Sequence, residues 1–96
     1  MLARVTTWEG GTPEGIRSAS EQMRSNVSQG PPEGLKSSGF MMLTDGDGGR
    51  VLMIGLFETD EDLRASEPVL AQMNPPEGIG SRTNTNVYQV AAEARM

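Results

Sequence analysis

The 96-residue sequence contains no cysteine and no histidine. Without thiols there is no disulfide and no thiolate nucleophile. Without imidazole, the commonest general base and the commonest metal ligand are both missing. A serine–histidine triad, a histidine- or cysteine-built zinc centre and imidazole-ligated haem iron are excluded. Aromatics are scarce: one tryptophan, one tyrosine and two phenylalanines, so each is worth locating. Eight Lys and Arg stand against thirteen Asp and Glu, a net charge of -5. A chain of that sign gains nothing from the counterion release that drives nucleic-acid binding. No run approaches the roughly 20 apolar residues of a membrane helix. Residues 1–8 lack the apolar core and cleavage site of a signal peptide. These absences set the expectation of a cytoplasmic protein with no metal, cofactor, membrane or nucleic-acid partner.

What is present is organised around one hairpin. Residues 35–44 and 50–58 flank Asp45-Gly46-Asp47-Gly48-Gly49, and Asp and Gly tolerate the positive φ that hairpin turns need. Val51-Leu52-Met53-Ile54-Gly55-Leu56-Phe57 is the most hydrophobic stretch of the chain. It reads as a strand covered on both faces. Residues 2–9, with Val5, Thr6, Thr7 and Trp8, read as a first strand stopped by Gly10-Gly11. Leu2, Arg4, Thr6 and Trp8 share one face of it. Thr12-Pro13-Glu14 starts a helix, with Thr12 as cap, proline at the first position and an acid at the positive end of the dipole. Ile16, Ala19, Met23 and Val27 form its apolar stripe, and Gly30-Pro31-Pro32 ends it. Thr59 and Asp62 have capping-box spacing at the head of a second helix, striped by Leu63, Ser66, Val69, Leu70 and Met73. Pro68 removes one helix bond and crowds the preceding turn, which predicts a break near Ser66-Glu67. Residues 82–92 read as the last strand, and 93–96 as a loose tail.

Pro-Pro-Glu-Gly occurs twice, at 31–34 and 75–78, each time after a helix and before a strand. The chain therefore reads strand–helix–strand twice in a single domain, residues 1–96. That is the β-α-β-β-α-β pattern of a ferredoxin-like α+β fold. Right-handed crossovers then give a four-stranded antiparallel sheet with both helices on one face. The other face carries part of the third strand and either Phe40 and Met42 or Met41 and Leu43. An uncovered apolar face of this size marks an interface, and a second copy related by two-fold symmetry is its simplest cover.

A chain of this pattern and length, with an apolar second sheet face, resembles the dimeric α+β barrel superfamily, and within it the antibiotic-biosynthesis-monooxygenase-like group. The likeness is carried by Ala3-Arg4-Val5-Thr6-Thr7-Trp8-Glu9-Gly10, by Leu56-Phe57-Glu58-Thr59-Asp60-Glu61-Asp62-Leu63-Arg64-Ala65-Ser66, and by Val87-Tyr88-Gln89-Val90-Ala91. The resemblance implies a homodimer with a cavity between sheet and helices, lined from the first and third strands. It also implies cofactor-independent oxygenation of aromatic, polyketide-like substrates. Haem-degrading members hold iron through a histidine of the second helix; this chain has none, and Ser66 near that position replaces neither a histidine nor an aromatic.

The candidate ligand-binding residues are Arg4, Trp8, Phe57, Ser66, Asn86 and Tyr88. Arg4, on a strand face turned into a small domain, needs an anion, supplied by a ligand or by a salt bridge to Glu9, Glu14 or a partner chain. Trp8 and Phe57 would stack on rings, or serve only as core. Arg82, Asn84, Asn86 and Tyr88 fall on one face of the last strand, where they would orient a ligand or simply protect an edge. The small residues Ala19, Gly55 and Ser66, together with Pro68, predict a void under the second helix, bordered by Trp8, Gly55, Phe57, Ser66 and Leu70, with Arg4 supplying one polar wall. Asp45-Gly46-Asp47-Gly48 opens like a calcium loop, but Leu56 stands where the bidentate acid belongs, so the stretch is a turn. No residue has an obvious base role. A non-catalytic binding module for an apolar metabolite, or a purely structural dimer, accounts for the same pattern.

Overall fold

A computed structural model describes residues 1–30, 34–72 and 78–94. The capping chemistry sets the helix starts. The Gly15 amide donates to Thr12 Oγ1 at 3.0 Å, and the Asp62 amide to Thr59 Oγ1 at 3.1 Å. From these caps α1 runs Pro13–Ser28 and α2 runs Asp60–Gln72. The strands are β1 Leu2–Gly10, β2 Gly39–Asp45, β3 Arg50–Phe57 and β4 Gly80–Gln89. The order in the sheet is β2-β3-β1-β4, every neighbour antiparallel. The two most apolar strands lie in the middle or beside it, and the polar β4 forms an edge.

Register assigns every side chain to a face. One set of cross-strand rows is Thr44–Val51–Trp8–Arg82, Met42–Met53–Thr6–Thr85 and Phe40–Gly55–Arg4–Val87. This face meets the helices. Ile16 and Ala19 of α1 pack with Val51 and Ile79 in the buried core, with Trp8, Met42 and Met53 against it. α2 reaches the same face through Glu67, which pairs with Arg4. The opposite rows are Leu43–Leu52–Thr7–Asn84, Met41–Ile54–Val5–Asn86 and Gly39–Leu56–Ala3–Tyr88. No helix lies on them. Met41 is 47% exposed, Leu43 43% and Tyr88 55%. Of the two alternatives for β2, Met41 and Leu43 face away from the helices.

Four expectations are corrected. First, β2 begins at Gly39 rather than residue 35. The segment before it is tied down instead by the Lys36 amide donating to Ser66 Oγ at 2.8 Å and the Ser38 amide to the Leu56 carbonyl at 2.8 Å. Second, α2 passes through Pro68 without a break. The bond lost is the one to the Arg64 carbonyl. Arg64, Glu67 and Pro68 are exposed, so that carbonyl stands on the solvent side where losing a helix bond costs least, and the Arg64–Asp60 pair at 2.9 Å spans the same face. Third, β4 runs Gly80–Gln89 rather than 82–92, with residues 90–94 outside regular structure. Fourth, β4 is not evenly paired. Thr7 faces Asn84 but Trp8 faces Arg82, so Thr83 is an extra, bulged residue.

The Pro-Pro-Glu segments at 31–33 and 75–77, with Met73 and residues 95–96, lie outside the described residues. The glycines that end the two repeats are described, and they match. Gly34 has φ +87° and Gly78 φ +89°. Each abuts the helix of the other repeat, Gly34 against Val69 of α2 and Gly78 against Gly15 of α1. The Thr12 amide, just ahead of α1, donates to the Gly78 carbonyl at 3.3 Å. Among the described residues no helix is long and apolar enough to cross a membrane.

Candidate functional site

Helix coverage stops short of β4. The resulting groove, about 480 Å³, is lined by Arg4, Arg82, Thr83, Asn84 and Thr85. Arg4 stands on β1 with 17% of its side chain exposed. Its Nε donates to Glu67 Oε1 at 3.2 Å and its Nη1 to Thr6 Oγ1 at 3.1 Å. The half-exposed Glu67 is the anion that Arg4 meets, a protein carboxylate but neither Glu9, which pairs with Arg50, nor Glu14. A second hollow of about 270 Å³ lies between α1 and the β2–β3 turn, beside Arg17, Ser20, Arg24 and Thr44.

The six candidate residues do not converge. Arg4 lines the groove. Trp8 is half-buried against the core, with its Nε1 buried and without a hydrogen-bond partner. Phe57 is 1% exposed. Its ring comes within 3.2 Å of where a Cβ on Gly55 would stand, so it covers the space the glycine leaves. Ser66 is fully buried, its hydroxyl accepting from Lys36. Asn86 and Tyr88 lie on the opposite, open face. The void expected under α2 is therefore closed at Gly55 by Phe57, and the opening lies further out, over β4.

Arg82 was grouped from the sequence with Asn84, Asn86 and Tyr88. The bulge at Thr83 separates it from them and sets it opposite Trp8, on the helix side. Glu67 was not singled out, because nothing in an exposed helical glutamate reports which strand residue it meets. Among the described residues no three His, Cys, Asp or Glu lie close enough to share a metal ion.

This arrangement defines a class. It is a ferredoxin-like α+β fold, β-α-β-β-α-β, with one sheet face under helices and the other bare of them. No protein-family model and no curated protein matches the sequence. Solved structures do match. One is MhuD, a haem-degrader from Mycobacterium tuberculosis with two haems in its active site, at 17% identity and a TM-score of 0.61 over 99% of this chain and 100% of that one. Another is a point mutant of MhuD with two manganese protoporphyrin IX molecules per active site, at 18% identity and a TM-score of 0.58 over 100% of both chains. At these identities the likeness is one of fold.

Proposed function

We propose that the protein is a homodimer that binds a small flat aromatic, polyketide-like molecule and works without haem, flavin or metal. The observation that carries this reading is Arg4, three-quarters or more buried and facing a shallow, open, polar groove over β4. The dimer rests on the bare sheet face. Met41, Leu43 and Tyr88 stand exposed on it, and an uncovered apolar face marks an interface that a second copy can close by two-fold symmetry.

Haem, which MhuD binds, does not fit the residues present. There is no histidine or cysteine to hold iron. On α2, Ser66 is fully buried with its hydroxyl engaged. Phe57 closes the space over Gly55, and Tyr88, the lone tyrosine, faces the other side of the sheet.

Binding without turnover is the first reading, because no group in the groove is held as a base. Turnover is the second, and one observation favours it: Glu67 sits 3.2 Å from Arg4 beside the groove. If an anionic oxygen takes its place on Arg4, the freed carboxylate is a base within reach. A substrate CH2 flanked by aryl groups would lose a proton, give electrons to dioxygen and end as C=O with release of water. Arg4 would then stabilise the enolate. Anthrone tests both readings at once. Saturable quenching of Trp8 fluorescence supports binding, and growth of anthraquinone in proportion to protein adds turnover. Absence of quenching up to the solubility limit refutes the site.

A further inference from the structure

The bulge in β4 changes the chemistry of the groove. Had pairing continued unbroken past Thr7–Asn84, Arg82 would face Glu9 and share the open face with Asn84, Asn86 and Tyr88. With Thr83 inserted, it faces Trp8 and shares the helix side with Arg4 and Thr85. Bulges commonly re-aim side chains in this way beside binding sites. On the helix side the groove thus carries two guanidiniums and the Thr85 hydroxyl, with the Thr83 hydroxyl donating to the Thr7 carbonyl at 3.4 Å. Glu67 compensates Arg4, so Arg82 leaves one uncompensated positive charge there on a chain whose net charge is -5.

The two arginines are differently occupied. Arg82, like Arg17 and Arg24 of α1, has no ion-pair partner among the described residues, whereas Arg4, Arg50 and Arg64 each have one; of the unpaired three, Arg82 alone lines this groove. Arg4 is the more buried member of its pair, 17% exposed against 47% for Glu67. Thr6 also holds Arg4 in place. Glu67 is therefore the member free to move into water. An arginine has five N–H donors, so both residues retain donors for a ligand. Their positions lie opposite Val87 and Trp8, four residues apart along β1, or roughly 13 Å at 3.3 Å per residue. A two-ring ligand acidic at both ends spans such a gap once two arginine side chains reach inward.

We propose that the groove over β4 binds a flat aromatic dianion, one acidic end on Arg4 and the other on Arg82, with Glu67 as the counter-ion that the ligand displaces. This rests on the reading of the groove as the ligand site, and its test separates the two. The probes are 2,6-naphthalenedicarboxylate, 2-naphthoate and 2-naphthamide, titrated into 15N-labelled protein and followed by amide shifts of Arg4, Thr83, Asn84 and Thr85. The dianion is expected to bind on the order of tenfold tighter than 2-naphthoate, and 2-naphthoate tighter than the amide, as charge-assisted hydrogen bonds are added. Arg82→Gln should cut dianion affinity about tenfold and barely change binding of the amide. Glu67→Gln should raise dianion affinity several-fold by removing the competing carboxylate. Equal binding of all three probes at these amides overturns the dianion while leaving the groove as a ligand site. No shift with any of them overturns both. Weaker dianion binding in Glu67→Gln overturns the displacement, and near-ultraviolet circular dichroism like the parent's confirms that the variants are folded.

Discussion

Ile54 is the point at which the proposed dimer is most open to attack. It sits in the middle row of the bare face, between Met41 on one side and Val5 on the other. In a lone chain it is half-buried and faces no helix, so Ile54→Glu should leave the fold intact. In a two-fold dimer the residue occurs twice, and both copies are desolvated near the axis. Each replacement forfeits about 2 kcal/mol of apolar burial. Each also brings a carboxylate against Leu52, Leu56 or their counterparts, at an effective cost of several kcal/mol per ion. Taking only about 2 kcal/mol for the charge, the two copies together lose about 8 kcal/mol, or roughly five to six orders of magnitude in Kd. Sedimentation equilibrium between 1 and 100 μM, as an assay range, reads the outcome. The parent protein should have twice its 10.3 kDa and the variant the monomer mass, with native circular dichroism. A monomeric parent at the highest concentration, or a variant that stays dimeric, would refute the assignment of this face.

Three stability predictions concern the joints of the fold, each read by urea denaturation. Gly78→Ala combines a left-handed φ of +89° with a Cβ 2.6 Å from the Gly15 Cα, backbone against backbone. Strain and overpacking together should cost about 2–4 kcal/mol, and a neutral result would mean that α1 does not rest on Gly78. Ser66→Ala removes the acceptor of the Lys36 amide in a fully buried place and should cost about 1–2 kcal/mol; hydrogen exchange at the Lys36 amide should rise with it. Pro68→Ala restores the missing bond to the Arg64 carbonyl inside a continuous helix and should stabilise by about 1–2 kcal/mol after the looser unfolded chain is counted. No gain would mean that the helix has already relaxed around the proline.

The elements were legible in the sequence because their signals are local. Thr12 and Thr59 cap through atoms three residues away. The Asp-Gly turn closes with the Gly48 amide donating to Asp45 Oδ1 at 3.1 Å. The order of strands and helices, the fold class and the bare face follow from those signals together with chain handedness and the continuous apolar run of β3. The Pro68 break was a local inference too, and it failed because the surroundings of Arg64 decide whether its carbonyl is orphaned. The candidate site was legible only at Arg4, whose position on an inward face is set by simple alternation. The rest required pairing between distant segments. A single bulged residue, Thr83, moves Arg82 across the sheet, and no local pattern announces it. Gly55 reads as a hole until the Phe57 ring two residues on is seen to cover it, a choice of rotamer made by packing. Arg4 finds its counter-ion 63 residues away in Glu67. Sequence by itself determined which segments become strands and helices, since that depends on neighbours within a few residues. Tertiary structure decided which side chains share a groove, because that depends on register, and register shifts by one residue exchange the faces of a strand.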